Sequence, residues 1–283
     1  GALIPPSLVM ILFAVIAQAP VGKLFAGGLA IGVITLVAYS LLIIIRVKLN
    51  PSLAPPVTET YTMAERVKAL VNTSPVLLIL MGVFGGLFSG LFTPTEAGAV
   101  GALLATLVAF FTGKMSFAVL RAAARETIIT TSALMIIAIG ASLLTRFLAL
   151  SGSGTALTNA ILGFGADPIL IIIGITLIYL ILGMFLEPIG CMMLTLPVVL
   201  PIVAQSGFEL IWFGVFLTKV LEIGMLTPPI GMNVFVIKSV VDRSISLWTV
   251  FRGVTWFIMT DLILLATMVA FPITVMFLPN LMG

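Results

Sequence analysis

Between Leu210 and Val240 an apolar stretch is interrupted by Gly224-Met225-Leu226-Thr227-Pro228-Pro229-Ile230-Gly231. Proline lacks an N–H and clashes with the turn before it, so Pro228-Pro229 releases several carbonyls from helical bonding, while the flanking glycines permit close approach. Carbonyls at the C-terminus of a half-helix, joined by oxygens from Thr227 and Asn233, form a ligand set for sodium, a hard cation that needs oxygen but no full negative charge. The half-helix that follows presents unpaired N–H groups and a positive dipole end to an anion. One motif therefore suits both a cation and an anionic solute. A second apolar stretch, Pro168 to Ala204, is broken by Gly183-Met184-Phe185-Leu186-Glu187-Pro188-Ile189-Gly190. Its single acid, Glu187, has two readings: an intramembrane group that takes a proton or cation, or a carboxylate capping the helix that starts at Pro188.

The remaining chemistry-bearing residues are sparse. Lys219 and Glu222, three apart on one helix face, are expected to pair with each other. Arg146 either meets a solute carboxylate or snorkels to the membrane interface. Glu96, after Thr93-Pro94-Thr95, is expected to cap the helix that begins there. Met192, Met193 and the scattered Phe residues read as packing or lipid-facing side chains. The single cysteine, Cys191, lies in an apolar stretch, and there is no histidine. A disulfide framework and a thiolate or imidazole metal site are thus excluded. An intramembrane enzyme needs a nucleophile with a base, or paired carboxylates, and the sequence offers neither.

The elements that must position these residues follow from composition. Of the 283 residues, 61% are hydrophobic and 8% charged, with a mean hydropathy of +1.34, which makes lipid the solvent. Apolar runs such as Gly22 to Ile45 and Val254 to Leu278 are long enough to cross about 30 Å of hydrocarbon as helices. The expected class is an all-α polytopic membrane protein. The net charge of +3 sits in short loops between spans, which fits membrane topology and argues against nucleic-acid binding.

Along the chain, a short piece from Leu8 to Ala17 precedes the Gly22–Ile45 span. A polar connection with Arg46, Lys48, Arg66 and Lys68 against Glu59 and Glu65 reads as cytoplasmic. Spans at about Pro75 to Gly90 and Ala97 to Phe111 lead to a second basic loop with Lys114, Arg121 and Arg125. Thr127 to Leu150 crosses outward to an uncharged segment ending at Asp167. Residues 168–204 then read as a re-entrant hairpin, because backbone released at membrane depth is tolerated only inside protein or along a wet cavity. Residues 210–240 read as a discontinuous helix, and Asp242 to Gly253 with Arg243 and Arg252 as cytoplasmic. The expected organisation is 1–21, the end of a first broken helix; 22–126, scaffold helices and cytoplasmic loops; 127–253, a second repeat with the hairpin and broken helix; and 254–283, a C-terminal membrane helix. Because the chain opens at Gly1 inside a Pro-Pro motif, a fragment or an incomplete gene model is expected.

Gly1-Ala2-Leu3-Ile4-Pro5-Pro6 and Gly224-Met225-Leu226-Thr227-Pro228-Pro229 share the pattern G-x-L-x-P-P. On the topology above, the helices after the two copies end on opposite sides, the inverted-repeat arrangement of secondary transporters. The competing explanation is that Pro-Pro simply kinks two unrelated spans.

Gly90-Leu91-Phe92-Thr93-Pro94-Thr95-Glu96-Ala97-Gly98-Ala99-Val100 resembles the signature of the large membrane subunit (DctM-like) of tripartite ATP-independent periplasmic (TRAP) transporters. Gly183 to Pro188, Leu196-Pro197-Val198-Val199-Leu200-Pro201, Phe213-Gly214 and Gly224 to Asn233 resemble that family's second hairpin and broken helix in order, and Ile4-Pro5-Pro6-Ser7 its first broken helix. The resemblance spans the whole chain and implies an inverted-repeat, elevator-type importer of the bacterial inner membrane, driven by sodium. No P-loop is present. It further implies a small membrane subunit (DctQ-like), a periplasmic substrate-binding protein (DctP-like) and organic acids, C4-dicarboxylates or sialic-acid-like, as cargo. The implied sodium and substrate site comprises Gly183, Glu187, Pro188, Gly224, Thr227, Pro228, Pro229, Gly231 and Asn233, with Pro5, Pro6 and Ser7 from the first copy. Sodium itself is assigned to Gly183, Gly224, Thr227 and Asn233, and no other cofactor is expected. The family's first hairpin and the front of its first broken helix have no counterpart here, which leaves one of the two ion sites incomplete, and Glu187 stands where members often carry aspartate. The alternative within transport is a sodium/anion symporter that works without a binding protein, and outside it a purely structural membrane subunit.

Overall fold

The computed structural model describes residues 3–54, 61–163, 165, 167–241 and 245–282, with the side chains of all but Phe88, Pro94 and Leu162. Gly1 and Ala2 of the first G-x-L-x-P-P copy lie outside the described residues, as do Glu59, Asp242 and Arg243. Among the described residues the regular structure is helical throughout. The helices are α1 (Leu8–Ala17), α2 (Val21–Leu49), α3 (Met63–Phe88), α4 (Pro94–Phe111), α5 (Phe117–Ser151), α6 (Ser153–Gly163), α7 (Pro168–Phe185), α8 (Pro188–Gln205), α9 (Leu210–Gly224), α10 (Met232–Val240), α11 (Leu247–Ala270) and α12 (Ile273–Leu281). Six of them are long and apolar enough to cross a membrane: α2, α3, α5, α7, α8 and α11. The protein is a polytopic membrane protein.

Several helices begin or end away from where hydropathy places them. α3 starts at Met63, twelve residues ahead of Pro75, because Thr62 and Glu65 form a reciprocal capping box, satisfying two orphan amide groups at the helix start. Pro75 is carried inside the helix. α5 starts at Phe117 rather than Thr127, so Arg121 and Arg125 belong to its first turns. The segment after Ser151 is not a plain loop but holds α6. The Val254–Leu278 span is two helices, α11 and the short α12, parted at Phe271-Pro272, where proline cannot continue the ladder of the preceding helix.

Two compact units emerge: Gly1–Arg46 with Leu134–Gly283, and Val47–Ala133. In the smaller unit α3 packs on α4. Thr93 and Glu96 form a second capping box, with Glu96 Oε2 accepting from Thr93 N at 2.7 Å and from Thr93 Oγ1 at 2.8 Å, as read for Glu96 from the sequence. Thr93→Ala should cost about 1 kcal/mol of local stability. Hydrogen–deuterium exchange at the amides of the first turn of α4 should then speed up about fivefold.

The larger unit is organised around α9, which is buried along most of its length. α7, α1, α11, α8 and α12 all pack on it. Gly214 makes room for α1 and α2: a Cβ there would lie 2.6 Å from both Phe13 and Leu24 side-chain atoms. α9 and α11 run antiparallel, joined at one end by Trp212 Nε1 donating to the Met268 carbonyl at 3.1 Å. Cys191 is a free buried thiol, and Met192 and Met193 are buried packing residues.

Candidate functional site

Two interruptions of helix lie inside the larger unit. In the hairpin, α7 ends at Phe185 and α8 begins at Pro188, so the break narrows to Leu186-Glu187 and the flanking Gly183 and Gly190 remain helical. Glu187 is the N-cap of α8: its Oε2 accepts from Gly190 N at 3.0 Å. Its side chain is exposed, whereas Pro188 is buried behind it. In the discontinuous helix, α9 ends at Gly224 and α10 begins at Met232.

The last turns of α7 touch the end of α9 backbone to backbone. A Cβ on Gly224 would stand 2.8 Å from Gly183 Cα, and one on Gly183 would stand 3.2 Å from Gly224 Cα. Only two glycines allow main chains to approach so closely. The α9–α10 connection is also closed by its own polar groups. Thr227 N donates to Gly224 O at 3.1 Å, Thr227 Oγ1 donates to Ile223 O at 2.7 Å, and Asn233 N reaches back across the break to Met225 O at 3.2 Å. The Gly224 and Met225 carbonyls each retain a second lone pair, whereas Ile223 O also accepts from Leu226 N at 3.0 Å. Gly231, at φ 60°, starts α10 in the left-handed region, and a Cβ there would meet Phe251 at 2.9 Å. Pro228 and Pro229 are exposed in the same connection, and their shared peptide bond is cis, like that between Pro5 and Pro6. Ser7 caps α1, accepting from Met10 N at 3.3 Å, with Pro5 buried and Pro6 exposed.

Gly183, Gly224, Thr227, Gly231 and Asn233 are thus held in or against one break. Glu187 and Pro188 lie at the hairpin tip that α7 carries. Pro5, Pro6 and Ser7 lie at the head of α1, which packs on α8 and α9. Among the described residues, no group of three or more His, Cys, Asp and Glu converges as a metal site. What the break offers a cation is neutral oxygen.

A cavity of about 520 Å³ lies between α1, α5 and α8. Its wall is apolar, from Leu12, Val15 and Met193 among others, except for Ser142, Thr145 and Arg146 on consecutive positions of one α5 face. Thr145 Oγ1 donates to the Ala141 carbonyl at 2.8 Å, while the Arg146 guanidinium enters no ion pair among the described residues.

A set of ionisable residues beneath the break was only half legible. Lys219 and Glu222 do pair, at 3.1 Å. Lys219 Nζ also lies 2.6 Å from Asp261 Oδ1, with no exposed surface on either side chain. Tyr39 OH donates to Asp261 Oδ2 at 2.6 Å. Sequence reasoning passed over Asp261 and Tyr39, although an acid in the apolar run of α11 was the available signal.

An all-helical multi-pass chain, in which the last turns of one apolar helix lie glycine to glycine against the end of another, defines a polytopic membrane protein with two helix interruptions in its larger unit. Residues 1–274 match the family described as the DctM component of the tripartite ATP-independent periplasmic transporter, and the chain belongs to that family. It is accordingly a multi-pass protein of the bacterial inner membrane. The chain is 32% identical over 288 residues to the C4-dicarboxylate TRAP transporter large permease protein DctM of Pseudomonas aeruginosa, covering 100% of this chain and 65% of that one. It is 30% identical over 283 residues to the sialic acid TRAP transporter permease protein SiaT of Haemophilus influenzae, covering 100% and 45%. The sialic acid TRAP transporter large permease protein SiaM of Vibrio cholerae is 30% identical over 286 residues, covering 99% and 65%. The chain therefore spans roughly half to two thirds of the length of these relatives.

Proposed function

We propose that the chain forms the permease part of a sodium-coupled TRAP importer of organic acids, with no enzymatic role. The observation that carries the proposal is the backbone contact of Gly183 on Gly224, which packs the first arm of the hairpin against the end of the first half of the discontinuous helix. Such paired interruptions suit coupled transport, because half-helix carbonyls receive the cation and half-helix N–H groups the anion. Sodium is taken by oxygens at the break from Gly183, Gly224, Thr227 and Asn233. The organic acid lies in the cavity, whose volume is in the ordinary range for small-molecule sites, with its carboxylate on Arg146 in a charge-assisted hydrogen bond. The relatives named for C4-dicarboxylate and sialic acid support an acidic cargo of that kind. Glu187 keeps its capping role and adds negative potential at the hairpin tip.

The wider arrangement follows the family. A periplasmic binding protein delivers the acid, a small membrane subunit steadies the scaffold, and the hairpin and broken helices move as an elevator built from inverted repeats. The test is uptake of radiolabelled succinate and sialic acid by the complete permease, reconstituted with its membrane partner, with and without binding protein and a sodium gradient. Uptake of either acid that needs both supports the reading. Uptake that needs sodium alone points to a symporter without a binding protein, and sodium-independent uptake overturns the ion site.

A further inference from the structure

The charged network below the break grips α9 on the side away from Gly183. Lys219 precedes Gly224 by five residues, which places it about 7.5 Å down the axis and about 140° around the helix. Gly224 therefore rests on α7 while Lys219 faces α2 and α11. There the ammonium lies 2.6 Å from Asp261 and 3.1 Å from Glu222, and stands 5.6 Å from the centre of the Tyr39 ring. Tyr39 holds the other Asp261 oxygen at 2.6 Å and packs edge-on against Phe257 of α11 at 5.0 Å. The network thereby joins α9 to two long helices, one following α1 and the other following α10.

The energetic role of such a network is specific. Desolvating an ion pair completely costs about as much as the pairing returns, so it adds little to stability, but it penalises every arrangement in which one partner is left alone. The apolar contacts of Phe213, Phe216 and Val220 are close-packed but non-directional, so they mark the register of α9 less sharply than a charge that must meet one partner. Moving α9 by one residue, about 1.5 Å along its axis, breaks the Asp261 contact outright. A glycine–glycine approach at the distances seen here needs that kind of register control.

We propose that Lys219, Asp261 and Tyr39 are positioning residues that set the register of α9, and through it the geometry of the sodium-binding break. This rests on the reading of the break as a sodium site. The network touches neither cargo nor sodium, and its effect is on how well the break's oxygens are placed.

The test uses the complete permease with its partners in proteoliposomes, reading initial uptake against sodium concentration. Two variants separate register from folding. Tyr39→Phe removes one hydroxyl and keeps the ring, and Lys219→Met with Asp261→Leu removes the buried pair at similar volume. The expected result is a half-saturating sodium concentration raised about fivefold in the first and more than about tenfold in the second, the scale of coupling between distinct sites. Maximal rates at saturating sodium should stay within about twofold of the parent, as expected when placement and not the protein is lost. Unchanged sodium dependence in Tyr39→Phe, or a fall in maximal rate alone, overturns the proposal. If the double variant fails to insert, Tyr39→Phe decides. If the parent transports without sodium, the function reading falls and this proposal with it.

Discussion

Gly224→Ala is expected to reduce sodium-driven uptake to background while the protein still reaches the membrane. The new methyl would lie 2.8 Å from Gly183 Cα and 3.0 Å from its carbonyl carbon. Both neighbours are main chain, so no rotamer change relieves the overlap, and α7 must withdraw from α9. Overpacking of this kind costs about 1–3 kcal/mol, which a chain with this many packed helices survives. The larger effect is geometric. The break's oxygens shift by a sizeable fraction of an ångström, and misplacement near 1 Å costs about a hundredfold in a preorganised site. Gly183→Ala, whose methyl would stand 3.2 Å from Gly224 Cα, should be the milder of the two. Membrane abundance by immunoblot and uptake by filter assay check both. Gly224→Ala protein with normal uptake would show that the glycine contact is not part of the site.

Arg146→Gln should raise the half-saturating concentration of an organic acid about thirtyfold or more. The cavity wall has one cation, and the guanidinium has no competing carboxylate among the described residues. A hydrogen bond between charged partners contributes about 1.5–3 kcal/mol, more when the alternative is an apolar wall. Arg146→Lys should recover part of the loss, since it restores charge without the planar fork that meets a carboxylate at two oxygens. Sodium half-saturation should be unaffected in both. Equal affinity in the Gln variant and the parent would place the carboxylate elsewhere, with the arginine at the membrane interface.

Much of the architecture was legible because the signals are local. The hairpin and the discontinuous helix were marked by Gly and Pro within apolar runs, and the Glu96 cap by its position three residues after Thr93. Where boundaries differed, a local polar device outweighed hydropathy. The first turns of α3 carry Glu65, Arg66 and Lys68, which depress the apolar average, yet the capping box at Thr62 starts the helix there. The helical state of Gly183 and Gly190 was hidden for the opposite reason. Glycine marks a possible break, but at Gly183 its missing side chain serves approach of α7 to α9.

Sequence by itself determined the membrane class, the two interruptions before Pro188 and at Pro228-Pro229, and the residue types available at each, because lipid imposes composition, and caps and prolines act over three or four residues. The tertiary structure decided what surrounds them. Tyr39 and Asp261 are 222 positions apart and share a hydrogen bond, and Lys219 prefers Asp261 on α11 at 2.6 Å to its own-helix partner at 3.1 Å. No periodicity within a helix encodes such a meeting. It follows from the packing of α2, α9 and α11, where a buried charge must find its counter-charge wherever the chain brings one.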